Sequence, residues 1–217
     1  MAYIASTRQL DNLSEKAINT FLSKFFYNKL FKAVRFETDK AQQIAGVDVT
    51  ADGLLIDNKA MSSPNYINNP KNTFILELLV HSDICGEYLG WFLNPDIVTT
   101  HYLFVWIPEA NVPSGGRITD SRQIKKLEVM LVDKSLMRHI IETHCSNERL
   151  LQVAHNMVAK DVRNMSIREL GNHNCPYFVY SNQLNEKPVN LVMPKHWLKR
   201  AAIKHCYVTD KEIVNIP

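Results

Sequence analysis

The chain lacks several features by which protein classes are recognised. Its 217 residues include only four cysteines, which are widely spaced and form no C-x-x-C pair. A zinc site is therefore not expected, and a reducing intracellular compartment is the simplest interpretation. No apolar run approaches the roughly 18 residues of a membrane span, and residues 1–8 contain no apolar signal core. We therefore expect a cytoplasmic protein with no membrane partner.

Several sequence patterns of common enzyme classes are also missing. With seven glycines in all, the chain has no dinucleotide-binding glycine pattern and no P-loop, and it has no Ser-His-Asp spacing. Internal repeats, low-complexity segments and linkers are absent too. We therefore expect a single domain over 1–217, with a core at 12–107 and a C-terminal elaboration at 120–217. The net charge of +3 is compatible with nucleic acid without requiring it.

The most informative segment is the predicted β-hairpin at 46–59. Asp52-Gly53 stands between two β-prone runs, and this predicts a two-residue type I′ turn. In that register Asp48 lies directly across from Asp57, and Lys59 shares the face of the two carboxylates. The other face is apolar throughout and carries Val47, Val49, Ala51, Leu54 and Ile56.

Two opposed carboxylates need a compensating group. At about 4.5–5.5 Å they repel each other by about 1 kcal/mol in water and about 4 kcal/mol at an effective dielectric constant near 20. A cation or a shared proton would relieve this cost. The set predicts Asp48 and Asp57 as ligands of Mg²⁺ or Mn²⁺ and Lys59 as the group that positions water or stabilises charge. The alternative is a turn cap at Asp48 and ordinary surface charges at the other two positions.

At this point the residues resemble a known family. Asp48, followed by Asp57-Asn58-Lys59 on the next strand, is similar to the active-site signature of the PD-(D/E)XK superfamily, the restriction-endonuclease-like nucleases. The family pattern places a helix before these strands, and the helix candidate here is 12–31. Val47 stands where the eponymous proline would be. The wider stretch 43–107 resembles uncharacterised, often phage-linked bacterial members of the superfamily.

The resemblance implies both a fold and an activity. The implied fold class is α/β (α+β in detail), a restriction-endonuclease-like mixed central sheet flanked by helices. The implied activity is a Mg²⁺- or Mn²⁺-dependent nuclease, with DNA as the expected partner and endonucleolytic cleavage as the expected reaction. Many nucleases of this fold dimerise to cut two strands, so a homodimer is compatible with the resemblance.

Three further residues are second-tier site candidates: Glu15, Gln43 and Glu77. Glu15 supplies either an extra acid from the helix or favourable charge in its first turn. Glu77 interrupts the apolar run 73–80, which predicts a buried strand. Its carboxylate faces either a polar layer or Lys59 and the metal.

A basic set near the C-terminus suggests a different function. Lys195, Lys199 and Arg200 follow Pro194 on a predicted short helix and could hold phosphates. The alternative to a nuclease is therefore a catalytically inactive module on the same fold that binds nucleic acid or a protein. A third possibility is an assembly protein whose acidic pair stabilises a surface ion.

The remaining patterns predict further elements along the chain. We expect an antiparallel pair formed by 90–93 and 99–107, and a strand at 127–132. Helices are predicted at 134–143 and at 147–160, the second capped by Asn147. Strands at 177–180 and 189–193 are expected to form a last pair.

Overall fold

A computed structural model describes residues 7–171 and 174–217. The α-helices are α1 (Thr7–Leu22), α2 (Asn28–Leu30), α3 (Lys40–Ile44), α4 (Lys134–Glu142), α5 (Asn147–Ala159) and α6 (Lys195–Lys199). The strands are β1 (Val34–Phe36), β2 (Val49–Ala51), β3 (Leu54–Ala60), β4 (Thr73–Ser82), β5 (Gly86–Leu89), β6 (His101–Ala110), β7 (Ile124–Asp133), β8 (Asn164–Met165), β9 (Tyr177–Tyr180), β10 (Pro188–Pro194), β11 (Ala202–Val208) and β12 (Ile213–Asn215). The fold is thus mixed α+β, which confirms the expected class at this level.

The described chain groups into two compact units. Unit 1 contains the described part of Met1–Lys71, together with Thr99–Asp133 and Ala202–Pro217. Unit 2 contains the described part of Asn72–Val98 and Lys134–Ala201. These units do not follow the expected division of the chain, because 72–98 joins unit 2 whereas the last segment completes the sheet of unit 1. The single domain over 1–217 stays a prediction.

Unit 1 is built on a mixed seven-stranded sheet with the order β1-β2-β3-β6-β7-β11-β12. The pairing of β3 with β6 is parallel and the other pairings are antiparallel. Strand β6 is central, and its residues 102–107 are completely buried. Apolar side chains from alternate positions of the strands pack with the N-terminal helix in one core.

The N-terminal helix agrees with the predicted helical stripe. Ile18, Phe21 and Leu22 on α1 are buried, and so are Phe26 and Tyr27. The predicted helix over 12–31 is confirmed, although it begins earlier, at Thr7. Between α1 and α2 the segment Ser23–Tyr27 forms a π-helical turn, which rotates the following side chains relative to a regular α-helix.

Unit 2 contains a five-stranded antiparallel sheet with the order β5-β4-β10-β9-β8. Helix α5 packs against three of these strands, β4, β9 and β10. The predicted strand at 73–80 is confirmed as part of β4. The predicted pairing of the strands at 177–180 and 189–193 is confirmed as that of β9 with β10.

Two details of the sequence-based prediction are wrong, and two strands of unit 1 were missed. Residues 90–93 form a turn, in which the N–H groups of Leu93 and Asn94 donate to the Gly90 carbonyl, so they make no strand pair with β6. The cap of α5 is Ser146, whose hydroxyl accepts from the Arg149 N–H. Strands β11 and β12 were not predicted, because β11 is held by long-range pairing with β7, and β12 in turn by pairing with β11, rather than by local apolar alternation.

Candidate active site

The hairpin of β2 and β3 has the predicted register. Val49 pairs with Ile56 and Ala51 pairs with Leu54. Asp52 and Gly53 have φ values of 47° and 86°, as a type I′ turn requires. The Asp48 N–H donates to the Ile56 carbonyl at 2.9 Å, so the pairing continues to the first acidic residue. The local signals in the sequence therefore predicted this part of the site.

Three hydrogen bonds hold Asp48 at the start of the hairpin. Besides the bond from its own N–H, its carbonyl accepts from the Glu37 N–H at 2.8 Å. Its side-chain Oδ2 accepts from the Asn58 N–H, also at 2.8 Å. Asp48 is thus fixed to the neighbouring strand β3 by backbone and by side chain. Such multiple anchoring restricts its carboxylate to one position beside Asp57.

Asp57 is a buried carboxyl group with both a cation and an anion beside it. Its side chain is only 6% exposed, and its Oδ2 lies 2.9 Å from Lys59 Nζ. Asp48 is the nearby anion, and its Oδ2 accepts from the N–H of Asn58, the residue that follows Asp57 on β3. Burial is the main cause that raises the pKa of Asp57 to about 7, with Asp48 contributing and Lys59 opposing the rise.

With a pKa of about 7, the Asp57 carboxyl is partly protonated at neutral pH. A proton on Asp57 removes the repulsion between this carboxyl group and the neighbouring Asp48 carboxylate. This is one of the two forms of relief expected for opposed carboxylates. A divalent cation could replace the proton, because Mg²⁺ needs only one or two protein carboxylates and keeps several waters. Within the described ranges, no group of three or more His, Cys, Asp or Glu side chains could hold a metal ion.

Asn58, the middle residue of Asp57-Asn58-Lys59, joins the strand that carries the site to the N-terminal helix. Its Nδ2 donates to Asn19 Oδ1 at 3.1 Å, and its Oδ1 accepts from the Tyr27 hydroxyl at 2.5 Å. Because side chains alternate along a strand, Asn58 points to the face opposite Asp57 and Lys59. These two hydrogen bonds therefore restrict rotation of β3 and so orient the side chains of Asp57 and Lys59.

Tyr27 is a functional candidate that the sequence did not reveal. It is completely buried and stands at the end of the π-helical turn. Burial and the nearby Asp48 raise its pKa well above its ordinary value, so its hydroxyl stays protonated and can donate to Asn58. The periodic stripe identified Tyr27 only as part of the helix, because its direction depends on the π turn.

The second-tier candidates are placed differently from one another. Glu15 on α1 is exposed and lies within electrostatic range of Asp48 and Lys59; desolvation and Asp48 raise its pKa, and Lys59 lowers it. Gln43 on α3 is exposed and donates to the Glu37 carbonyl at 3.1 Å. Glu77 is half-buried on β4 and belongs to unit 2, whereas the other site residues belong to unit 1.

The predicted basic set belongs to unit 2. Lys195 and Lys199 are the first and last residues of α6, and Arg200 follows directly. Lys199 and Arg200 are exposed. The guanidinium of Arg200 lies over the buried Trp197 ring, 5.3 Å from its centroid, and this fixes one positive charge on the surface.

Comparison of the chain with protein-family models, with curated proteins and with solved structures finds no match. Among the helices of the described ranges, none combines the length and the apolar character needed to cross a bilayer.

Proposed function

We propose that this protein is a divalent-metal-dependent nuclease whose active site is formed by Asp48, Asp57 and Lys59. The observation that carries the proposal is the burial of the Asp57 carboxyl group, with the Lys59 ammonium 2.9 Å from it and the Asp48 carboxylate held on the N–H of the adjacent Asn58. A like-charged pair in a buried position is unfavourable to folding and is typical of sites that bind or transfer charge.

The donor set fits Mg²⁺ or Mn²⁺. Two hard carboxylate oxygens beside each other suit such an ion, and substrate phosphate and water would complete its coordination. Asp48 and Asp57 would hold the ion once the proton of Asp57 has left to solvent. When bound, the ion would polarise the scissile phosphate and lower the pKa of a coordinated water.

Each side chain has a distinct part in the proposed hydrolysis. Lys59 would donate hydrogen bonds to the attacking water or to the phosphate oxygens, whose charge increases in the transition state. Its contact with Asp57 keeps the ammonium from turning away into solvent. Asn58 would position both neighbours from the opposite face of β3, through its bonds to Tyr27 and Asn19. Glu15 is a further acid that the geometry associates with this group.

A restriction-endonuclease-like fold is part of the same proposal. Its support is the order of elements, in which α1 precedes a hairpin that carries Asp48 just before β2 and Asp57-x-Lys59 on β3. This order agrees with the pattern of the PD-(D/E)XK superfamily. DNA is the proposed substrate, and dimerisation to cut both strands belongs to the same hypothesis.

Cleavage assays test the proposal directly. Single-stranded, duplex and branched DNA and structured RNA are incubated with the protein in Mg²⁺ or Mn²⁺. We expect metal-dependent cutting that Lys59→Ala and Asp57→Ala reduce by about 100-fold or more, as loss of a transition-state contact typically does. Lys125→Ala, which removes an exposed lysine of the same unit, is the matched control and should cut normally. Full activity of Lys59→Ala would exclude the proposed mechanism.

A binding module is the second candidate function, favoured by the exposed Lys199 and Arg200 on unit 2. It predicts association with nucleic acid that weakens steeply with salt and proceeds without turnover. Retention of a labelled strand by wild-type protein, with no cutting in either metal, would support this candidate over the nuclease.

A further inference from the structure

Unit 2 contains a cavity of about 430 Å³ that is separate from the acidic site. Three parts of the chain line it: the start of β4, described residues between Ser166 and Tyr177, and the junction of β10 with α6. A bond from the Lys195 N–H to the Asn72 carbonyl at 2.9 Å holds the first and third parts together. A volume of this size suits a ligand of roughly the dimensions of a nucleotide.

In one wall of the cavity, Gly171 and Cys175 come close together. Gly171 has a φ of 97°, and a Cβ at this position would lie 2.5 Å from Cys175 Sγ. Only glycine meets both demands, since the backbone is left-handed and the sulfur fills the space. Asn174, next to Cys175, also has a positive φ of 52°. The wall is therefore shaped by backbone geometry and by close approach of the chain to itself.

The lining is about half polar and half apolar, and it includes one aromatic side chain. Asn72, Asn174 and Ser166 offer amide and hydroxyl groups, and His196 offers an imidazole. The described lining residues include no Asp or Glu. Such a surface can form several hydrogen bonds to an uncharged heterocycle, in the way amide side chains bind the edges of bases. Tyr177, which is 38% exposed, provides a ring face for stacking.

Three cationic residues adjoin the lining residue His196 in the sequence. His196 lines the cavity, and Lys195, Lys199 and Arg200 lie on or directly after the same short helix. A ligand that places a planar base in the cavity would therefore find cations nearby for its phosphate. A nucleotide combines these two features in one molecule.

We propose that the unit 2 cavity is a nucleotide-binding site, which takes the base of a free mononucleotide or of a single-stranded nucleic acid. Tyr177 stacks on the base, the amide groups bind its edge, and the cations of α6 hold the phosphate. This inference does not rest on the nuclease proposal, because binding is measured in EDTA without turnover.

Protection of a cysteine from alkylation provides a local test in the unmodified protein. Cys175 lines the cavity, and Cys85 of the same unit is an exposed internal control. A mononucleotide at about nine times its Kd should slow alkylation of Cys175 about tenfold, because the unbound fraction falls as 1/(1 + [L]/Kd). The rate at Cys85 should not change. Equal rates at Cys175 with and without a saturating probe, whether a mononucleotide or a hexanucleotide, would overturn the proposal.

Variants test the stacking and the source of the ligand. Affinities for AMP, CMP, GMP, UMP and labelled hexanucleotides are measured in EDTA. Tyr177→Ala should weaken binding about tenfold or more, as loss of a base–aromatic stack does, and His196→Ala should weaken it too. Tyr88→Ala removes an exposed tyrosine elsewhere in unit 2 and should bind normally.

The outcomes separate the alternatives. Tight binding of mononucleotides points to a free nucleotide as ligand, whereas binding of hexanucleotides alone points to a nucleic acid strand. Strand binding that is unchanged in both Tyr177→Ala and His196→Ala, or no binding of any probe by the wild type, would overturn the proposal. Thermal unfolding of each variant establishes that the loss of binding is not loss of fold.

Discussion

Substitution of Asp57 by asparagine should remove a pH-dependent weakness of the metal-free protein. The pKa of Asp57 is raised from 3.8 to about 7, chiefly by burial. Through that rise, Asp57 lowers the free energy of unfolding by about 4 kcal/mol between low pH, where the group is protonated in both the folded and the unfolded state, and high pH, where it is ionised in both. An asparagine side chain at this position would keep the shape and could still accept a hydrogen bond from Lys59, but it carries no charge.

The sign of the effect follows from proton linkage. Between the two pKa values the folded protein holds a proton that the unfolded chain has released, so the free energy of unfolding falls as pH rises. The stabilising contribution is complete below about 3.8 and is lost as pH passes through about 7. From about pH 5 to about pH 8, titration of Asp57 should lower the free energy of unfolding of the wild type by about 3 kcal/mol. The Asp57→Asn variant should not show this loss.

Urea unfolding in EDTA at both pH values measures this difference. Asp57→Asn is compared with the wild type and with Asp210→Asn, which removes an exposed carboxylate of the same unit. We expect the stability of Asp57→Asn relative to the wild type to grow with pH, whereas the Asp210→Asn difference stays constant. If Asp57→Asn differs from the wild type by the same amount at both pH values, the buried proton does not exist.

Three further predictions concern the same site and unit 2. Added Mg²⁺ at about 100 times its Kd should raise the free energy of unfolding of the wild type by about 2.7 kcal/mol. The ion should bind more weakly at pH 5 than at pH 8, because the proton of Asp57 competes with it. Binding of Mg²⁺ that does not depend on pH would contradict this. Tyr27→Phe removes the hydrogen bond to Asn58, so it should lower the free energy of unfolding in urea by about 1–2 kcal/mol and slow cleavage. Tyr66→Phe is the control and should change neither stability nor cleavage. Gly90→Ala should cost about 2 kcal/mol or more, since a Cβ there would lie 2.5 Å from the backbone of Glu77; an unchanged thermal midpoint would contradict that close contact.

The hairpin could be predicted because its causes are local. Asp52-Gly53 sets the turn, and the alternation of Val49, Ala51, Leu54 and Ile56 sets the apolar face. A two-residue turn fixes the register of the strands that it joins. The neighbourhood of Asp48 and Asp57 therefore follows from residues 46–59 alone.

The wrong prediction at 90–93 has a different origin. Gly-Trp-Phe-Leu has a strand-like composition, but the N–H groups of Gly90 and Phe92 donate to the carbonyls of Leu78 and Glu77, and the chain then turns. Gly90 is required there because its Cα comes close to the backbone of Glu77. Such a contact between separate segments leaves no periodic signal in either of them.

The sequence alone determined the elements whose hydrogen bonds and apolar contacts are short-range: the N-terminal helix, the acidic hairpin and the strand β4. The tertiary structure decided which distant residues join them. It brought Tyr27 and Asn19 to Asn58, placed β6 parallel to β3, and joined three separate parts of the chain around the cavity of unit 2. The physical reason is that turn type and side-chain periodicity act within a few residues, whereas burial and long-range pairing depend on the whole chain.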